Sequence, residues 1–147
     1  LEEAKADILG LYMVSKLVEK RELQGPIEQY YTTFMAGILR SVRFGASSSH
    51  GKANMLAFNF FQEKGAFEKT SEGKYKVNYE KFRSAMNELG NLILTLQGNG
   101  DKDAVARLQA EKGIVKPDLQ KDLDQLKEKG IPVDIVFEQG ADVLGLK

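Results

Sequence analysis

The sequence predicts a mainly α protein, an irregular helical bundle of about six helices with one small hairpin or strand element. Apolar residues recur at i, i+3, i+4 and i+7 over most of the 147 residues. Helix-ending glycines and helix-starting serine, proline or aspartate divide those stretches into segments of helical length. Only residues 67–78 and 131–137 carry the alternating or β-branched character of a strand.

Residues 2–20 form the first predicted helix. Ile8, Leu9, Leu11, Tyr12, Met13, Val14, Leu17 and Val18 make it apolar over most of its circumference, which suits a central position. At 100° per residue, Glu3, Asp7, Gly10, Leu11, Val14 and Val18 fall in one stripe, with Lys5, Lys16 and Lys20 opposite. Gly25-Pro26 opens a second helix over residues 26–44, with Ile27, Tyr30, Tyr31, Phe34, Ile38 and Val42 at helical spacing and Gly45 as its end. Ser47-Ser-Ser49 offers N-cap hydroxyls to a third, which carries Ala53, Leu56, Ala57, Phe60 and Phe61 and stops near Gly65. Residues 67–78 read as a small hairpin or extended loop. A fourth helix spans 79–97 with Phe82, Met86, Leu89, Ile93 and Leu96 on one face, and Gly98-Asn-Gly100 breaks it. Asp101 caps a short fifth helix that ends at Gly113, and a sixth runs over 117–129 with Leu119, Leu123 and Leu126 inward and Gly130 as its stop. Ile131-Pro-Val-Asp-Ile-Val-Phe137 reads as a strand with no obvious partner.

A chain of this length makes one domain or a piece of one, here a single helical fragment over 1–147, and a body of that size buries roughly 70% of its unfolded surface. Hydrophobic content of 42% and charged content of 29% are ordinary for a globular protein. Lysine plus arginine equals aspartate plus glutamate, 21 each, so charge gives no reason to expect nucleic acid or an anionic membrane as partner. No cysteine is present, which excludes disulfide scaffolds and thiolate zinc sites and suits a reducing, cytoplasmic compartment. No stretch approaches the roughly 20 apolar residues that span a bilayer. Leu1 is not a start methionine, and helical periodicity runs from the first residue, as expected of a chain cut inside a longer protein.

Two places invite chemistry. Glu3 and Asp7 are neighbours on one helix face, and their mutual repulsion would be relieved by a cation. Acids in a first turn also simply complement the helix dipole. His50, the only histidine, falls in the first turn of the third helix. There the dipole favours neutral imidazole, which can donate a hydrogen bond to a developing oxyanion. It can equally be a polar cap residue.

The motifs around these residues, taken together, go further. Glu2-Glu-Ala-Lys-Ala-Asp7 followed by Gly10-Leu-Tyr12 resembles the second zinc motif of the dipeptidyl peptidase III family of metallopeptidases. Ala36-Gly37 with Phe44 resembles the family's next helix, and His50-Gly-Lys-Ala53 with Glu63 and Gly65 resembles its H-x-x-A helix closing in E-x-G. The resemblance covers residues 1–67. The whole chain also resembles the peptidase-like region of longer proteins in which a nudix domain comes first.

That resemblance implies part of a larger, two-lobed zinc peptidase fold. Glu3 matches a glutamate zinc ligand, Glu2 and Asp7 match acids that orient zinc-bound histidines, and His50 matches the histidine that stabilises the tetrahedral transition state. The family's H-E-x-x-x-H motif is absent, and Asn54 stands where the best-known members carry arginine. A catalytic zinc needs three protein ligands, and this chain offers one. The implied activity, zinc cofactor and peptide substrate therefore attach to a longer parent whose upstream part is this segment's partner. The isolated chain is expected to bind no catalytic zinc and to cleave nothing. A helical interaction module that lacks the chemistry, beside a nudix domain, is the alternative. Nucleotide hydrolysis has no support in these residues, because Gly98-Asn-Gly100 lacks the strand and lysine of a phosphate loop.

Overall fold

The computed structural model describes residues 1–135 and 137–146. They form two compact units, Leu1–Lys116 and Pro117–Lys147.

The first unit holds α1 (Glu2–Glu19), α2 (Ile27–Ser41) running into a 3-10 turn (Val42–Phe44), α3 (Ser49–Glu63), a hairpin, α4 (Tyr79–Asn99) and α5 (Lys102–Lys112). Several helix ends follow the predicted punctuation, with Ser48 and Asp101 as caps, while the Asn78 cap was not anticipated. The Asn78 side chain accepts from Lys81 N and the Asp101 side chain from Ala104 N, each starting a helix. Gly98 does not break α4. The helix continues to Asn99, and Gly100, at φ 64°, turns the chain in the left-handed region that glycine adopts without strain. In the hairpin, β1 (Phe67–Lys69) pairs antiparallel with β2 (Tyr75–Val77), Phe67 opposite Val77. The buried Phe67 ring lies 4.8 Å from that of Phe58, which fixes the hairpin on α3.

α1 is central, packed against α2, α3 and α4. Its buried face is not the predicted stripe. Ala4, Ile8, Leu11 and Ser15 are buried, a face rotated by roughly a quarter turn, while Asp7 and Gly10 are exposed. A helix apolar over most of its circumference has no single face chosen by hydrophobicity. Close packing chooses it here. Gly90 of α4 lies against Ile8 and Leu9, and Ser15 Oγ reaches Tyr31 OH at 3.1 Å and donates to Leu11 O at 3.1 Å. Four aromatic rings fill the middle. Phe82 stacks on Tyr31 at 4.7 Å and on Phe61 at 4.6 Å, and Phe34 meets Phe61 and Phe82 edge-on.

The second unit holds α6 (Pro117–Glu128), closed by Gly130 at φ 68° with Ile131 N donating to Leu126 O. The strand expected at 131–137 is not formed. Ile131, Pro132, Val133, Asp134, Ile135 and Phe137 are exposed and irregular, and Val136 lies outside the described residues. A β-branched run becomes a strand only where a ladder accepts it. The one sheet among the described residues is the β1–β2 pair.

Candidate functional site

The first turns of α1 and α3 bring two of the predicted residues into contact. His50 Nδ1 lies 2.8 Å from Glu3 Oε2. The imidazole is 74% exposed and the Glu3 side chain 42% exposed, so the pair sits open to solvent at the edge of the body. With neutral imidazole the contact is an Nδ1–H donated to the carboxylate. With imidazolium it is an ion pair. When Glu3 holds the Nδ1 proton, Nε2 can donate to another oxygen only as imidazolium.

Local sequence places His50 there. Gly45, at φ 87°, ends the 3-10 turn, and Ser48 caps α3 by accepting from Gly51 N at 3.0 Å. Gly51 is buried against that loop. A Cβ added to it would overlap the Gly45 carbonyl oxygen and fall 2.9 Å from Ala46 Cα. Only glycine lets the first turn of α3 sit so close, and that seat directs the neighbouring imidazole to α1.

Asp7 belongs to the same corner. Although the residue as a whole is exposed, partial desolvation of its carboxyl at this corner raises it above the ordinary 3.8, nearby His50 opposes the rise, and Glu3 adds to it. The sign follows. Below 3.8 both folded and unfolded chains hold the proton and Asp7 exacts no penalty. As pH rises through the folded value, the native state must ionise a carboxyl that its surroundings disfavour, and stability falls. Asp7→Asn is therefore expected to be more stable than wild type at pH 7 and equal to it near pH 3, in urea titrations at the two pH values. An equal or lower stability at pH 7 would contradict the assignment.

Glu2 turns away. It pairs with Lys5 at 2.6 Å and accepts from Gln97 Nε2 of α4 at 3.0 Å, and Lys5, then Gln97, hold its carboxyl below the ordinary range. Asn54 follows His50 by one turn on α3 and is half-buried. Glu63, matched in the E-x-G signature, lies thirteen residues on, about 20 Å along the helix. It meets Lys112 at 2.6 Å and Lys116 at 3.3 Å and serves to tie α5 to α3. Asn59 completes that tie by donating to the carbonyls of Lys112 and Ile114 at 2.7 and 2.9 Å. No local pattern announced the contacts of Asn59 with Lys112 and Ile114 or of Lys112 with Glu63, because these partners are more than forty residues apart in the chain.

Among the described residues no group of three or more histidine, cysteine, aspartate or glutamate side chains is arranged to hold a metal. A zinc site needs three protein ligands, and among the described residues no such group forms around the Glu3 carboxylate.

The fold is that of a dipeptidyl-peptidase-III-like helical segment. The structure of DPP III from Caldithrix abyssi superposes with a TM-score of 0.85 and 36% identity over 97% of this chain and 28% of that one. Dipeptidyl-peptidase III from Corallococcus sp. strain EGB gives 0.84 and 40% identity over 90% of this chain and 25% of that one. Nudix hydrolase 3 of Arabidopsis thaliana is 40% identical over 136 residues, 92% of this chain and 18% of that protein. The chain thus spans less than a third of each of these relatives. No family model matches it. No helix among the described residues is long and apolar enough to cross a membrane.

Proposed function

We propose that this chain is the part of a zinc-dependent exopeptidase, resembling dipeptidyl peptidase III, that supplies a glutamate ligand and a transition-state histidine. The observation that carries the reading is the 2.8 Å approach of His50 to Glu3, two residues 47 positions apart that the motif resemblance singled out independently. In the longer protein, Glu3 would hold the ion together with two histidines from outside this chain. A bound zinc supplies Lewis acidity and a water of lowered pKa.

This chain's residues have their own tasks. The Glu3 carboxylate has two oxygens. With Oε2 toward His50, Oε1 is left to face a cation. Asp7, whose desolvation is relieved by a nearby positive group, would accept a hydrogen bond from a ligand histidine and fix its tautomer. His50, on the rigid first turn of α3, would donate to the oxyanion of a peptide carbonyl under attack. Glu2, engaged by Lys5 and Gln97, would brace α1 against α4 near that corner. The substrate would be a peptide, and the partner the remainder of the same chain, which the likeness to Nudix hydrolase 3 extends to a nudix-fused parent.

A second reading is a helical docking module without catalysis. Zinc content and dipeptide release by the full-length protein decide between them. Zinc and activity that both disappear in Glu3→Ala support the peptidase. A metal-free, inactive wild type gives the reading to the docking module.

A further inference from the structure

We propose that α5 and the turn after it, residues 102–116, form a latch on α3 that opens as one unit while α1 to α4 stay folded, with Glu63 as the pin that holds it shut. The composition of α5 is the first observation. Its one buried residue is Lys112. Ala104, Val105 and Leu108 are only half-buried, and Ala106 and Ala110 are exposed. By contrast α1, α2 and α4 each bury three or more apolar side chains, among them Ile8, Tyr31 and Phe82. Buried apolar area is what holds a helix to a body. α5 has little of it, so polar ties carry more of its attachment.

Those ties converge on Asn59 and Glu63, neighbours one turn apart on α3. Asn59 Nδ2 donates to the carbonyls of Lys112 and Ile114 and so fastens the turn at the end of α5. Glu63 gives one oxygen to each of two lysines, Oε2 to Lys112 Nζ and Oε1 to Lys116 Nζ. Lys112 above all holds the Glu63 carboxyl below the ordinary range, so the pin is charged at neutral pH. Water can replace these ties. The Glu63 and Lys116 side chains are partly exposed, and ion pairs in that setting add little net stability. Lys112 also meets Glu111 on its own helix, a contact that survives opening. The closed form carries one uncompensated group. Asn59 Oδ1 is buried with no hydrogen-bond partner among the described residues, which disfavours closure, and lifting α5 away would hydrate it. At the other end Gly100, at φ 64°, joins α4 to α5 and can change its backbone angles with little strain. A weakly buried helix, replaceable ties and a glycine joint are the features of a unit that opens locally.

Native-state hydrogen exchange of the 147-residue chain tests this. Amides of residues 106–112 in α5 should exchange at least about 100-fold faster than those of 86–96 in α4, because the latch opens without global unfolding. Glu63→Gln keeps the shape of the pin and removes its charge. It should speed all of these α5 amides by a further factor of about 10 and leave those of α4 unchanged. Lys112→Met, which keeps the buried stem, should do the same. Wild-type α5 amides as slow as those of α4 would overturn the proposal. So would variants that speed α4 and α5 by one common factor, that speed only the last turn of α5, or that speed neither helix.

Discussion

Gly51→Ala is expected to destabilise the chain by about 1–2 kcal/mol and to move His50 away from Glu3. The added methyl would overlap the Gly45 carbonyl oxygen and crowd Ala46 Cα. Both are backbone atoms, which cannot rotate aside as a side chain can. Forcing a group into a closed contact costs roughly 1–3 kcal/mol. Alanine's better helix propensity returns up to about 1 kcal/mol of that. The strain falls on the loop that seats the first turn of α3, so relief requires α3 to shift or its first turn to fray. Either change lengthens the His50–Glu3 contact. Urea unfolding gives the first number, and the imidazole carbon-bound proton shifts, compared with those of Glu3→Gln, report the second. A variant as stable as wild type, with unchanged imidazole shifts, would show that the seat is looser than described.

The largest loss of stability is expected from Phe82→Ala. Phe82 is fully buried and is the ring on which Tyr31 and Phe61 both stack. Truncating a core phenylalanine costs about 3–5 kcal/mol, the sum of lost burial and of the cavity left behind. Domains of this size hold only about 5–15 kcal/mol in total. The variant should therefore unfold at much lower urea. Tyrosine emission is a convenient readout, since the chain has no tryptophan and Tyr31 is fully buried in the wild type. Phe82→Leu, which conserves most of the volume, should lose about 1.5 kcal/mol or less. A loss below about 1 kcal/mol for the alanine variant would mean that the four rings are not the centre of this core.

The architecture was legible because its signals are local. Capping residues such as Ser48 and Asp101, stop glycines such as Gly45, Gly65 and Gly130, and apolar spacing at 3.6 residues all act within a few positions of where they stand. What was not legible depended on contacts distant in sequence. The buried face of α1 could not be read from a helix that is apolar nearly all round, since Gly90 and Ser15 select it through the approach of α4. The run at 131–137 has strand composition and no ladder to join, so composition alone misassigned it. Glu63 was noticed as a motif residue, but its tie to Lys112 depends on α5 crossing behind α3. For the candidate site, spacing alone left Glu3 and His50 equally open to ordinary roles as a helix-dipole acid and a cap residue. The motif resemblance singled them out, and the fold brings them within hydrogen-bond distance. Glu2 and Asp7 were chosen together by that resemblance, yet only Asp7 shares the corner with His50, because Glu2 projects from the side of α1 that meets Gln97.

The central claim is that Glu3 faces a catalytic ion in the intact protein, and zinc occupancy of the purified full-length chain tests it most directly. Wild type should carry about one zinc per chain, and Glu3→Ala should lose most of it together with peptide cleavage. His50→Ala, in the same measurement, should keep its zinc while kcat falls by about 10²–10³, the usual cost of removing one oxyanion donor. Full zinc occupancy in Glu3→Ala would contradict the account.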